Sequence, residues 1–131
     1  LHFKTQNSAY NKTTFCDFLK EIFEKMNLMN FRNYTIIMDN VAFHKSTEVR
    51  TIIEESGHSL LFLPPYSPQL NPIEEFFSKW KQHVKSANSN TVSELENAVL
   101  NGVELITSSD CVGFFNNVRQ FALKGVRREL F

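Results

Sequence analysis

Two carboxylates carry the chemistry that this sequence suggests. Asp39 closes the apolar run Tyr34-Thr35-Ile36-Ile37-Met38, and Glu74 opens an amphipathic run. Between them lies Pro64-Pro65-Tyr66-Ser67-Pro68-Gln69-Leu70-Asn71-Pro72-Ile73, a loop that holds all four prolines of the chain. A strand end followed by a stiffened loop can hold two acidic groups in fixed places. Carboxylates fixed in this way can share divalent metal ions, and shared ions cleave and join phosphodiesters.

Each residue also has a plainer use. Asp39-Asn40 suits a turn, since both types hydrogen-bond their own backbone two residues on. Asn71 and Glu74 stand three apart and can form a capping box, and a carboxylate in a first helical turn gains from the helix dipole. Glu75 is adjacent, and only one of the pair can face a crevice; Glu74 lies nearer the apolar side set by Ile73, Phe76, Phe77 and Trp80. His44, five residues after Asp39, can orient a carboxylate or bind phosphate, or simply cap or pack. Lys79, Lys81, His83 and Lys85 form a basic cluster that is either a solvated face or a set of phosphate contacts. Lys124, Arg127 and Arg128 make a smaller basic end. Pro65 and Pro68 form a PxxP, which reads better as a rigid internal loop than as a ligand for a partner domain.

The elements that must position these groups follow from periodicity. His2–Thr5 suits a short strand. A helix is expected from Thr14, with Asp17 completing a capping box and Phe15, Phe18, Leu19, Ile22, Phe23 and Met26 on its apolar face. Tyr34–Met38 and Ser59–Leu63 suit strands buried on both faces, as in a parallel sheet. The helix between them starts at Ser46, presents Val49, Ile52 and Ile53, and ends at Gly57. In such sheets the ligand crevice lies at the carboxyl ends of the strands, where Asp39 falls. Asn71 and Pro72 start a helix bearing Ile73, Phe76, Phe77, Trp80 and Val84. Two more helices follow. One is capped by Thr91 with Glu94 and carries Val92, Leu95, Val99, Val103 and Ile106. The other runs from about Asp110 through Phe115, Val118 and Ala122 to near Lys124. Ser86–Asn90 is the best place for a hinge.

Composition narrows the class. The 131 residues suit one domain, and 42% hydrophobic content with 13 Phe favours a packed core over disorder. Fourteen basic residues balance fourteen acidic ones, which disfavours a dedicated DNA-coating module but not an enzyme that meets DNA through a local patch. Cys16 and Cys111 fall in expected helices and read as free thiols of a reducing compartment. Neither a signal peptide nor a membrane-spanning stretch is visible, so the sequons at Asn11 and Asn33 are expected to stay unmodified. The chain opens at Leu1 rather than Met, as a piece of a longer protein would.

Taken together, these features resemble the catalytic domain of the Tc1/mariner and IS630-like transposases. The likeness is carried by Asp39-Asn40, His44, Pro64-Pro65-Tyr66-Ser67-Pro68, Leu70-Asn71-Pro72-Ile73-Glu74 and Lys79-Trp80-Lys81. Thirty-four residues separate Asp39 from Glu74, the spacing of the second aspartate and the glutamate in the Tc1 branch. The resemblance is clear from about Tyr10 to Val84 and weaker beyond.

The resemblance implies an α/β, ribonuclease-H-like sheet with flanking helices over residues 1–86 and a helical extension over 87–131, together one partial catalytic domain. It implies catalytic and metal-binding roles for Asp39 and Glu74, outer-shell roles for Asn40, His44 and Asn71, and DNA contacts from Lys79, Lys81 and Lys85. Two Mg²⁺ (or Mn²⁺) ions are implied as cofactors and DNA as the partner, at transposon ends and target. A homodimer fits; a membrane or small-molecule substrate does not. The location implied is the nucleus in a eukaryote and otherwise the cytoplasm. Such sheets have two further strands, the first bearing another catalytic aspartate; neither is found here, and Asp17 lies in the wrong element. The 131 residues alone are therefore expected not to cut DNA. The contrasting reading is a decayed or co-opted remnant, a non-catalytic binding module for nucleic acid or protein.

Overall fold

Asn11 is the residue that starts the first helix. Its side chain accepts the Thr14 N–H at 3.0 Å, and Thr14 Oγ1 accepts the Asn11 N–H at 2.9 Å. Helix α1 therefore runs Lys12–Leu28, two residues earlier than Thr14, with Thr14 rather than Asp17 as the reciprocal partner. Asn is a better cap than Thr, which accounts for the shift. Replacing Asn11 by Ala is expected to cost about 1 kcal/mol, read as a lower urea midpoint with an unchanged slope.

The computed structural model describes residues 2–127. They pack as two units, Leu1–Tyr66 and Ser67–Phe131. The division falls inside the proline loop, whereas Ser86–Asn90 joins two helices of the second unit.

In the first unit, α1 ends on Asn30, whose φ of 60° is left-handed. Its N–H reaches Asn27 O at 3.0 Å, and Phe31 N–H reaches Met26 O at 2.8 Å, the paired bonds of a Schellman end. Strand β1 (Thr35–Met38) leads through a 3₁₀ turn at Ala42–Lys45 into α2 (Thr47–Glu55), capped by Ser46. Gly57, at φ 77°, ends α2 in the same way, with bonds Gly57 N–H to Glu54 O and His58 N–H to Ile53 O. Strand β2 (Ser59–Phe62) then pairs with β1 in parallel, Thr35 opposite Ser59 and Met38 opposite Phe62.

The core of this unit is Leu19, Phe23, Met38, Val49 and Ile53, flanked by Ile36, Leu60 and Phe62. Among the described residues of this unit, the core covers one side of the sheet. Ile37 is 40% exposed and Leu61 52%, so the expectation of strands buried on both faces is corrected to an alternating pattern. His58 is buried, stacks on Phe23 with centroids 5.1 Å apart, and accepts the Tyr34 N–H at Nδ1, 3.1 Å away. It thereby fixes where β1 begins.

His2–Thr5 forms no strand. The segment is drawn onto α1 instead. His2 stacks on Phe18, Lys4 pairs with Glu21 at 2.6 Å, and Tyr10 Oη donates to Lys4 O. The Lys4 ammonium holds the Glu21 carboxyl below its ordinary range, and Lys12 does the same to Glu48 of α2. Cys16 lies half-buried beside the core, where burial pushes its thiol up; Cys111 is also free, and both sit in helices.

The second unit is three helices, α3 (Pro72–Ser86), α4 (Val92–Glu104) and α5 (Ser108–Val126). Thr91 caps α4 through the Glu94 N–H, while the Glu94 carboxylate accepts from Asn90 N–H. Thr107 and Asp110 form the capping box of α5, which sets the start, expected at about Asp110, at Ser108. Trp80 Nε1 donates to Val99 O at 2.9 Å. Gly102 allows this approach, because a Cβ there would lie 2.7 Å from Trp80 Cδ1. Ala98, Gly102 and Val103 form the buried face of α4, whereas Val92 and Leu95 are exposed. Phe115 of α5 is also exposed.

Candidate active site

Asp39 follows the last residue of β1, at the carboxyl end of the strand. His44 Nδ1 donates to Asp39 Oδ1 at 2.7 Å. The Val41 N–H reaches the same oxygen at 3.3 Å, so the turn role and the His44 contact coexist. Both bonds fall on Oδ1, which leaves Oδ2 free to meet a ligand, and half of the side chain is exposed.

The sequence explains why His44 aims this way. The 3₁₀ turn at Ala42–Lys45 brings residue 44 back over residue 39. The ring is then held between Phe15 of α1, with centroids 4.4 Å apart, and Phe43, at 4.6 Å. The imidazole is mostly covered and has little freedom to turn away.

Asn40 Nδ2 donates to Leu63 O, and Leu63 N–H donates to Met38 O at 2.8 Å. These two bonds extend the β1–β2 pairing past both strand ends. The residue beside Asp39 is thus tied to the start of the proline loop.

Glu74 lies in the first turn of α3 and is exposed. Asn71 Oδ1 accepts from Ile73 N–H at 3.3 Å, so the cap closes on residue 73 and the capping box with Glu74 does not form. The Glu74 N–H donates to Asn71 O at 3.1 Å, but its carboxylate makes no hydrogen bond or ion pair among the described residues. Its neighbour is committed: Glu75 Oε2 accepts from Asn117 Nδ2 at 2.9 Å, tying α3 to α5. The sequence signal for this contact was absent, since 42 residues separate the partners.

Among the basic residues, Lys79 pairs with Asp110 at 2.7 Å and holds that carboxyl low. Lys81 and Lys85 remain exposed on α3. Lys124 lies 5.7 Å from the Phe121 ring centroid; Arg128 is outside the described residues. Asp39 and His44 come together within the first unit; Glu74, Asn71 and the lysines belong to the second. Among the described residues, no three His, Cys, Asp or Glu side chains are grouped so as to hold a metal ion.

Residues 1–96 match the family described as DDE superfamily endonuclease, a span that includes Asp39, Glu74 and the α3 lysines. No curated protein matches the chain. Among the described residues no helix is long and apolar enough to cross a membrane.

Proposed function

The chain belongs to the DDE superfamily endonuclease family, and on that premise we propose that it is catalytic-domain sequence of a Tc1/mariner-type transposase. The reaction is hydrolysis of a phosphodiester at a transposon end, followed by attack of the freed 3′-hydroxyl on target DNA. The parent fold is ribonuclease-H-like and works as a homodimer, in the nucleus of a eukaryotic cell. The observation that carries this reading is Asp39: an exposed carboxylate at a strand end, held through one oxygen by a packed histidine, inside the matched span.

Endonucleases of this family use divalent metal ions, and the donors here suit them in kind. Asp39, through Oδ2, and Glu74 offer hard carboxylate oxygens, the donor type that Mg²⁺ and Mn²⁺ prefer. Bound ions would sharpen the attacking oxygen and stabilise the leaving one. Asp39 would bridge or hold one ion, and Glu74 would hold the other. His44 and Asn40 keep Asp39 in place, Asn71 sets the start of α3, and Lys81 and Lys85 meet phosphates.

The test is Mn²⁺ titration followed by electron paramagnetic resonance, with and without duplex DNA. Affinity for the ion is expected to rise with DNA, because a substrate phosphate supplies further oxygens. Glu74→Gln is expected to weaken Mn²⁺ by more than about tenfold, since loss of even an outer-shell partner costs about 10- to 100-fold. Glu75→Gln should leave Mn²⁺ affinity unchanged and lower the melting temperature, since its partner is Asn117. If Glu75→Gln alone lowers the affinity, the two carboxylates have been assigned the wrong way round. Identical Mn²⁺ binding in every sample would sink the reading.

A further inference from the structure

Tyr66 lies in a turn directly after Pro65. Its φ is 54°, the left-handed region that an aromatic residue rarely occupies. Its side chain is fully exposed, at 101% of the reference area. A ring fully in water contributes no burial to stability, so packing does not account for an aromatic residue at this turn position. The ring is nevertheless presented from a stiff support. Pro64 and Pro65 precede it, and the carbonyl of Leu63 is anchored by Asn40, next to Asp39. Three residues extend no more than about 10 Å, so the Tyr66 backbone stays within that reach of the anchor beside Asp39. That is the span of a few nucleotides.

We propose that Tyr66 is a stacking platform for an unpaired nucleobase of the DNA substrate, close to the phosphate handled at Asp39. The inference rests on the endonuclease reading above and adds a substrate class to it. The face of a base is available to an aromatic ring only where the base has left the helical stack, at a gap, a flap or a flipped position. An exposed aromatic accepts any base there, because every base has a π-face. Its phenol also has a hydroxyl that can meet the nearby backbone. The left-handed φ turns the chain sharply at Tyr66, which is how a loop of two prolines can end in a projecting ring.

The experiment compares an intact duplex with a duplex carrying one unpaired 2-aminopurine, whose emission is quenched on stacking. Binding is followed by anisotropy and stacking by quenching. The natural chain is expected to prefer the unpaired probe and to quench it. Tyr66→Gly removes the ring and suits the left-handed backbone, so it should melt no lower than the natural chain. It should bind the unpaired probe about 5- to 150-fold more weakly and lose the quench, while duplex binding is unchanged. Tyr66→Phe and Tyr66→Trp should keep both signals. Equal affinity and equal quenching in Tyr66→Gly would overturn the inference alone. Binding of neither DNA would remove the endonuclease reading and this inference with it. A change confined to sedimentation would make the ring a contact between protein chains and overturn the inference as well.

Discussion

Asp39→Asn is expected to weaken Mn²⁺ binding by more than about a hundredfold while leaving the fold intact. Loss of an outer-shell partner typically costs about 10- to 100-fold in metal affinity, and loss of the ligand itself costs more. The fold should survive because an Asn side-chain oxygen can still accept from His44 Nδ1 and Val41 N–H, the two bonds that Asp39 makes. His44→Ala should produce the smaller, outer-shell loss. His44→Asn should recover part of it, since an amide N–H can reach from nearly the position of Nδ1. The graded order, Asp39→Asn worst and His44→Asn mildest, separates a ligand from the residue that positions it. Equal Mn²⁺ affinity in Asp39→Asn and the natural chain would remove Asp39 from the site.

The same residues show what a sequence can disclose. Asp39 at a strand end and His44 beside it were legible because both are local. A short apolar run fixes the strand, and five residues suffice to return a side chain to it. The parallel pair of strands and the helix between them were legible for the same reason, since Ser46 and Gly57 mark that helix at both ends. The cap of α1 was misjudged because two good candidates, Asn11 and Thr14, stood close together. Asn11 outranks Thr14, so α1 starts earlier than the apolar periodicity alone suggests, and the Thr107–Asp110 capping box likewise starts α5 just before Asp110.

What the sequence hid is long-range. Glu75 and Glu74 are neighbours of the same type, and only the Asn117 side chain from α5 distinguishes them. Lys79 looks like its neighbours on α3 until Asp110 arrives to pair with it. His58 looks like a polar residue at a helix end, but Phe23 and the Tyr34 N–H make it part of the core. The exposed Ile37 and Leu61 read as buried because apolar runs do not say how many faces are covered. Tyr66 is different again, since nothing local to its residue type points to a left-handed φ.

Ile53→Ala is expected to be the most destabilising single change in the first unit, at about 3–4 kcal/mol. Ile53 and Val49 are 0% exposed, and both belong to the cluster that includes Met38, the residue before Asp39. Truncation leaves a cavity between α2 and its neighbours in that cluster, in addition to the lost transfer energy. Domains of this size have about 5–15 kcal/mol of net stability, so the change removes a large share of it. The urea midpoint by circular dichroism should fall accordingly. Mn²⁺ affinity at 25 °C should hold until the unit unfolds and then vanish with it, because Asp39 is displayed by β1 and β1 rests on this cluster. Leu61→Ala, on the exposed face of the same sheet, should stay within about 0.5 kcal/mol. If Leu61→Ala destabilises more than Ile53→Ala, the covered face of the sheet has been assigned the wrong way round.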